Sequence, residues 1–170
     1  ALLAKAIAVA VAEHPVINAD CDGNGFIFRN YVNMAVAVAM PDGGLITPVL
    51  KNADTTDIYQ MSRDWKDLVA RARSKKLTPD EFSTGTFTLS NLGMFGVSRF
   101  DAILVPGTGS ILAVGSSIPT VVANEDGSIC VKKQMQVNLT ADHRTVYGAD
   151  GANFLQTLKN VIENPADLVY

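Results

Sequence analysis

One of the two histidines, His143, lies at a position typical of a catalytic side chain. His143 lies in TADHRTVYG (140–148), between a predicted long strand and a predicted amphipathic helix. Histidine exchanges a proton near neutral pH and often serves as a general acid or base. Catalytic side chains are often carried by a loop that a rigid frame holds. Because His143 is flanked by Asp142 and Arg144, it also fits a purely structural ion-pair corner, and both interpretations stay open at this point.

Other catalytic classes lack their residue patterns. There is no GxSxG motif, and neither Cys21 nor Cys130 lies in a CxxC pair or near a histidine in sequence. We therefore expect reduced thiols that pack as small apolar residues. His14 and His143 do not form a metal-ligand pair, and no GxGxxG or GxxxxGK loop occurs. The sequence predicts neither a zinc site nor a nucleotide-phosphate cradle.

A short basic run contains Arg71, Arg73, Lys75 and Lys76. It coincides with the C-terminal end of a predicted helix, where the helix dipole favours cations. The alternative is an anion-docking patch, which would make the domain a binding module for RNA or another polyanion. The net charge of −3 and the lack of interleaved aromatic residues argue against nucleic acid as a partner.

Length and composition describe an ordinary globular domain. Of 170 residues, 48% are hydrophobic and 18% are charged, which suits one domain with its own core. No apolar run reaches the roughly 18 to 20 residues of a membrane span, so no membrane partner is expected. The chain starts at Ala1 in helical pattern, without a capping residue or a start methionine. That start predicts a fragment of a longer protein.

The elements that must position these residues are predicted from apolar spacing. Helices are expected over residues 2–13, 57–76 and 148–163, with a capping box at 78–81 that starts a short helix ending at Gly85. Strands are expected at residues 26–28, 32–40, 45–50, 86–89, 102–105, 111–114, 120–123 and 129–141. Because strands and helices mix without strict alternation, the pattern indicates an α/β sandwich or α+β domain with a mixed sheet.

Several ordered motifs resemble the catalytic cores of the dihydrolipoamide acyltransferases of 2-oxo acid dehydrogenase complexes. The run Asp142-His143-Arg144, followed by Gly148, is similar to the family's active-site signature. GTFTLSNLGMFG (85–96) and MPDGGLITPV (40–49) are similar to two further family segments, and the LGMFG wording is closer to pyruvate-type members. Shorter matches at 4–18, 111–115 and 163–165 extend the resemblance over essentially the whole chain.

The resemblance implies a fold and an assembly. The expected fold is a chloramphenicol-acetyltransferase-like two-layer sandwich with a mixed β-sheet, its chains forming homotrimers that build a larger cubic or icosahedral shell. Residues 1–170 would be one acyltransferase catalytic domain, shortened by an N-terminal strand and helix and separated from lipoyl and subunit-binding domains. The implied partners are a lipoyl domain and the dehydrogenase and dihydrolipoamide dehydrogenase components.

The resemblance also implies roles for individual residues. His143 would be the general base for a coenzyme A or dihydrolipoyl thiol, and Ser90 would donate to the tetrahedral oxyanion. Asp142 and Arg144 would hold the loop. In this family the base and the serine come from neighbouring subunits. Coenzyme A is then a substrate, the lipoyl group arrives on another domain, and neither a metal nor a covalent acyl-enzyme is required. The motifs identify no coenzyme-binding residue.

Tyr147 departs from the family pattern, which has Asp or Asn four residues after the base. A phenol can also hydrogen-bond, and Asp150 could stand in for the missing carboxylate. We interpret Tyr147 as a subfamily variant of plastid pyruvate-type members. That interpretation favours the chloroplast stroma over the mitochondrial matrix or the bacterial cytoplasm.

A scaffold with little catalysis is the other reading of the same resemblance. The chain ends in an apolar tail, Leu168, Val169 and Tyr170. An exposed apolar tail needs a pocket, which an adjacent trimer would supply. On this reading the domain serves mainly as the structural core of the shell.

Overall fold

The computed structural model describes residues 1–168. The helices are α1 (Leu2–Glu13), α2 (Ile58–Arg73) and α3 (Gly148–Glu163). The strands are β1 (Asp20–Cys21), β2 (Phe26–Ile27), β3 (Met34–Val36), β4 (Val38–Ala39), β5 (Leu45–Ile46), β6 (Val49–Leu50), β7 (Phe87–Asn91), β8 (Ser110–Ala123) and β9 (Ile129–Ala141). Single 3-10 turns lie at Pro15–Asn18, Pro79–Glu81, Gly93–Phe95 and Pro165–Leu168.

The main sheet is mixed, as the sequence predicts. Its five strands run in the order β6-β3-β7-β8-β9, and β1-β2 and β4-β5 form two small separate pairs. Strand β7 is parallel to both of its neighbours, β3 and β8, while β3 and β6 and β8 and β9 pair antiparallel. A strand flanked on both sides is a central strand, so β7 is built largely of buried residues.

The helices cover the sheet and bury its apolar side chains. Helix α1 packs against α3 and β3, α2 against β6, and α3 against β9. Asp57 caps α2, accepting the backbone N–H groups of Tyr59 at 2.9 Å and Gln60 at 3.0 Å. The largest fully buried side chains in the shared core include Phe87 of β7 and Phe154 of α3, whose rings lie 5.9 Å apart. None of the helices within residues 1–168 is long and apolar enough to cross a membrane.

Two predicted strands are each broken in the middle. Residues 32–40 form β3 and β4 rather than one strand, because β3 pairs with β7 while β4 turns away to pair with β5. Residues 45–50 likewise divide into β5 and β6 around Thr47 and Pro48. Proline has no N–H for the ladder, so a break at that point is expected physically.

One further strand prediction is wrong, and two others describe parts of a single strand. Residues 102–105 have no regular structure, and Ile103 is 90% exposed. The separate strands predicted at 111–114 and 120–123 are parts of one strand, β8, which continues through Pro119 with an irregular register between Val114 and Ser117. Proline is tolerated here since the outer half of β8 projects beyond the main sheet and pairs only with β9.

Element ends differ less. Helix α1, β9 and α3 have the predicted bounds, whereas α2 begins at Ile58 and ends at Arg73. The short helix predicted from the capping box at 78–81 up to Gly85 is only a 3-10 turn, Pro79–Glu81, with its capping box present. In the apolar tail, Leu168 is buried in the core, and Val169 and Tyr170 lie outside the described residues.

Candidate active site

His143 lies on a tight turn between β9 and α3, here called the His143 turn (residues 142–147). The backbone carbonyl of Asp142 accepts the N–H groups of Thr145 at 3.0 Å and Val146 at 2.9 Å. Thr145 and Val146 are both buried, and Val146 belongs to the core. The His143 side chain itself is exposed. The turn therefore presents an exposed imidazole from a backbone that is anchored in the core.

Asp142 and Arg144 brace this turn from the outside. The Asp142 carboxylate accepts the Arg144 Nε–H at 2.9 and 3.0 Å and the Arg144 backbone N–H at 3.0 Å. These hydrogen bonds, above all those from the guanidinium, lower the pKa of Asp142 to about 2. The same pairing raises the pKa of Arg144. A carboxylate held ionised in this way is an anchor for the loop and a poor acceptor of protons at neutral pH.

The turn also rests on a neighbouring loop through Gly109. The Asp142 backbone N–H donates to the Gly109 carbonyl at 2.9 Å. A Cβ atom at Gly109 would lie 1.7 Å from the carbonyl oxygen of Ala19, so only glycine fits there. This close approach packs the segment before β1 beside the turn.

Asp150 and Tyr147 lie at the start of α3. The Asp150 carboxylate accepts the backbone N–H of Tyr147 at 3.0 Å, so it caps the helix instead of contacting the imidazole. Tyr147 is 61% exposed, and its ring meets the His143 ring edge to face, with centroids 5.4 Å apart and planes at 75°. The structure thus brings His143 and Tyr147 together and gives Asp150 a capping contact.

Ser90 is half-buried near the end of β7. It lines a cavity of about 490 Å³, here called the Ser90 cavity, between β7, α1 and α2. The other walls include Leu3 and Ala4 of α1 and Trp65 of α2. Beyond Ser90 the chain turns sharply, with the Asn91 side chain accepting the Gly93 N–H at 2.8 Å. Ser90 therefore borders a mostly apolar recess of a size that admits a flexible substrate arm.

Ser90 and His143 are not brought together within one chain. Ser90 is in register with Ala113 of β8, which pairs with Asn138 of β9, two strands away. His143 lies past Ala141, which is three strand positions further along β9. At about 4.8 Å per strand and 3.3 Å per residue, the two sites are more than about 10 Å apart. Among residues 1–168, no hydrogen bond joins the Ser90 hydroxyl to the His143 imidazole, and strand register keeps the two residues apart within one chain.

Two cations of the basic run are neutralised by local ion pairs. Arg71 contacts Asp67 at 2.8 Å and Glu81 at 2.6 Å, and Lys75 contacts Asp42 at 2.6 Å. The Arg71 guanidinium lowers the pKa of Glu81 to about 2. With two of its four cations paired, the run makes a weak anion-docking patch. Within the described part of the chain, no group of three or more His, Cys, Asp or Glu side chains could hold a metal ion.

Sequence reasoning missed several residues around the site. Arg73, assigned only to the basic run, borders the Ser90 cavity. Lys5 is buried, and its ammonium donates to the carbonyls of Asp54 at 2.7 Å and Thr56 at 2.8 Å, which ties α1 to the loop before α2. A lysine among the apolar residues of α1 is the one sequence signal that could have indicated the contact between Lys5 and the loop before α2.

An α/β domain that presents an exposed histidine from an anchored turn beside a mixed sheet has the fold and the exposed base that a group-transfer enzyme needs. The chain belongs to the family of 2-oxoacid dehydrogenases acyltransferase catalytic domains, whose model matches residues 1–170. It is 66% identical over 171 aligned residues to "dihydrolipoyllysine-residue acetyltransferase component 5 of pyruvate dehydrogenase complex, chloroplastic" of Arabidopsis thaliana. That alignment covers 100% of this chain and 37% of the relative, so the chain spans little more than a third of the relative's length.

Solved structures show the same fold. The cubic core of the pyruvate dehydrogenase multienzyme complex matches with a TM-score of 0.91 and 30% identity, covering 99% of this chain and 70% of that one. The Azotobacter vinelandii dihydrolipoamide acetyltransferase matches with the same values. It has been studied for the role of a serine, a histidine and an asparagine in its catalytic mechanism, the asparagine four residues after the histidine. Chloramphenicol acetyltransferase, at 18% identity and a TM-score of 0.55, shares the fold alone.

Proposed function

We propose that this domain transfers an acetyl group between a dihydrolipoyl thioester and coenzyme A, as part of the core of a pyruvate dehydrogenase complex. The observation that carries the proposal is His143, held exposed on an anchored turn in a chain that matches an acetyltransferase component along its whole length. An exposed base suits substrates that arrive on long flexible arms, because it needs no lid to open.

His143 would act as the general base. A thiol is mostly protonated at neutral pH, whereas the thiolate is the nucleophile, so removing the proton speeds attack on the thioester carbonyl. The Asp142–Arg144 pair keeps the turn in place while the imidazole holds the proton. When the tetrahedral intermediate collapses, the departing sulfur takes the proton back from the imidazole. No covalent acyl-enzyme is needed.

Ser90 would stabilise the oxyanion from another subunit. Its hydroxyl can donate to the oxygen that becomes negative, and donation by one such group contributes strongly in a water-poor recess. Strand register separates Ser90 from His143 within one chain, and the family resemblance implies that the two come from neighbouring subunits. The working site would then combine the histidine of one chain with the serine of its neighbour. A homotrimer gives three equivalent sites of this kind.

Assembly and location follow from the similarity to known complexes. We expect the trimers to form a larger shell, since the cubic core of a pyruvate dehydrogenase complex has the same fold. Partners would be a lipoyl domain and the dehydrogenase and dihydrolipoamide dehydrogenase components. The chloroplastic relative supports a plastid location, and we place the domain in the stroma.

The base is tested by His143→Ala in the intact native chain. Loss of a general base should lower kcat by about 100- to 10,000-fold in acetyl transfer to coenzyme A. His14→Ala is the matched control, since His14 contacts Thr157 between α1 and α3 and lies outside the His143 turn. Retention of activity within tenfold by His143→Ala would favour the scaffold reading over catalysis.

Sharing of the site is tested by coexpressing His143→Ala and Ser90→Ala chains. Each variant alone should be poorly active, Ser90→Ala by about 100- to 1,000-fold. In mixed trimers, about a quarter of the sites would combine a native histidine with a native serine. Recovery of activity to that level supports a site between neighbours. Mixed particles no more active than the better single variant contradict it.

A further inference from the structure

Among residues 1–168, the His143 ring forms an aromatic pair with one side chain, that of Tyr147. The centroids are 5.4 Å apart and the planes meet at 75°, an edge-to-face arrangement. Such pairs are attractive because the positive edge of one ring points to the negative face of the other. Both residues are exposed, so the contact is not forced by packing from the core.

The backbone on either side of the pair is held. Val146 is buried next to Tyr147, and Asp150 accepts the Tyr147 N–H at 3.0 Å. Asp142 closes the turn before His143 through the Thr145 and Val146 N–H groups. With both Cα atoms fixed, the two rings retain only their side-chain rotations. Their mutual contact selects among those rotations.

Within the described residues, no polar contact with the His143 imidazole is seen that could orient it instead. No hydrogen bond joins the His143 imidazole to the Tyr147 hydroxyl among residues 1–168. The nearby carboxylates are engaged elsewhere, Asp142 by Arg144 and Asp150 by the Tyr147 backbone N–H. The Azotobacter vinelandii enzyme carries an asparagine at the position four residues after its histidine, where this chain has Tyr147. An amide can orient an imidazole by a hydrogen bond, whereas in this chain the Tyr147 and His143 rings meet edge to face.

We propose that Tyr147 is a positioning residue that orients the His143 imidazole through its aromatic ring and not through its hydroxyl. The inference rests on the proposed function, because it assigns Tyr147 a part in the general-base step. It predicts that the ring is required for turnover, whereas the hydroxyl is dispensable. Tyr147 touches no reacting atom in this role and acts only through the imidazole.

The test compares Tyr147→Phe, Tyr147→Leu and Tyr147→Ala in the intact native chain, measured by steady-state acetyl transfer. Tyr147→Phe keeps the ring and should retain kcat within twofold. Tyr147→Ala and Tyr147→Leu should lower kcat by about fivefold with KM within twofold, the size expected for one aromatic pair. The melting temperature should stay unchanged in all three, since the side chain is largely exposed.

Other outcomes overturn the inference. If Tyr147→Phe falls as far as Tyr147→Ala, the hydroxyl carries the effect, and if Tyr147→Leu keeps full kcat, only bulk is needed. If Tyr147→Ala is fully active, the ring has no positioning role. None of these results touches the proposed function, which fails only if His143→Ala stays active.

Discussion

The two halves of the candidate site are held in opposite ways. The His143 turn is closed mainly by contacts among residues 142–150, with one backbone hydrogen bond to the distant Gly109. Ser90 lies on a central strand whose partners, β3 and β8, come from distant parts of the chain. His143 thus lies on a surface turn held mainly by local contacts, whereas Ser90 lies on a strand of the core. Substitutions in the turn should lower turnover with little loss of stability, and loss of buried side chains around Ser90 should lower the stability of the domain.

Phe87→Ala, on the strand that carries Ser90, should cause the largest loss of stability among the variants considered. Phe87 begins β7, is fully buried, and packs against Phe154 of α3. Removing a buried aromatic ring leaves a cavity, so the free energy of unfolding should fall by about 3 to 5 kcal/mol. Urea denaturation measures the change, with Phe28→Ala as the control because Phe28 is 62% exposed. Equal effects of the two variants would contradict the assignment of β7 to the core.

Lys5→Met tests the long-range contact that joins α1, a wall of the Ser90 cavity, to the loop before α2. Helix α1 supplies one wall of this cavity, and the Lys5 ammonium holds α1 to the carbonyls of Asp54 and Thr56. Burial lowers the pKa of Lys5, and Asp54 and Asp57 oppose that shift. Methionine fills similar space but donates nothing, so stability should fall by about 1.5 to 3 kcal/mol.

Lys66→Met provides the matched control for this change. Lys66 lies on the exposed face of α2. Its replacement should change the free energy of unfolding by less than about 0.5 kcal/mol in the same urea titration. If Lys5→Met is equally mild, the buried ammonium is not holding α1 in place.

The same contrast explains what sequence reasoning could predict. Helix α3 and strand β9, which flank the His143 turn, have the predicted bounds, because periodicity and local capping determine them. The run at 32–40 was mispredicted since its break depends on a change of partner from β7 to β5, and partner choice is not encoded in a local pattern. The apolar run 102–105 has the pattern of a strand but forms a loop in which Ile103 is exposed and its three neighbours are half-buried.

The site itself follows this division. The position of His143 between a strand and a helix was predictable from local pattern, as was its bracing by neighbouring charges. The family resemblance implies that Ser90 and His143 act from different chains, but no local pattern shows their separation, which becomes visible only in the strand register. The ring contact of Tyr147 depends on side-chain rotation, which residue spacing does not specify.

Asp150→Ala tests the local side through the helix cap. Loss of the carboxylate leaves the Tyr147 N–H without the acceptor that the N3 residue supplies, so stability should fall by about 0.3 to 1.5 kcal/mol. Asp150→Asn keeps an acceptor and should recover most of that loss in thermal denaturation. A large loss of kcat in Asp150→Asn, with stability intact, would instead point to a chemical role for the carboxylate and would weaken the capping assignment.

Asp142→Asn should give the smallest stability change, and its dependence on pH is diagnostic. Arg144 lowers the pKa of Asp142 to about 2 in the folded state, below the ordinary aspartate value. A lowered pKa means that the pairing stabilises the fold above about pH 4, and that this stabilisation is lost as the pH falls through about 2. Because the Arg144 side chain is 62% exposed, solvent screening keeps the difference between native and variant below about 1 kcal/mol at pH 7. Urea midpoints measured from pH 7 down to pH 2 should therefore converge for the two proteins at the acid end. A difference that stays constant over that range would mean that Asp142 acts through shape and neutral hydrogen bonds, and the His143 turn would then not depend on the charge of its brace.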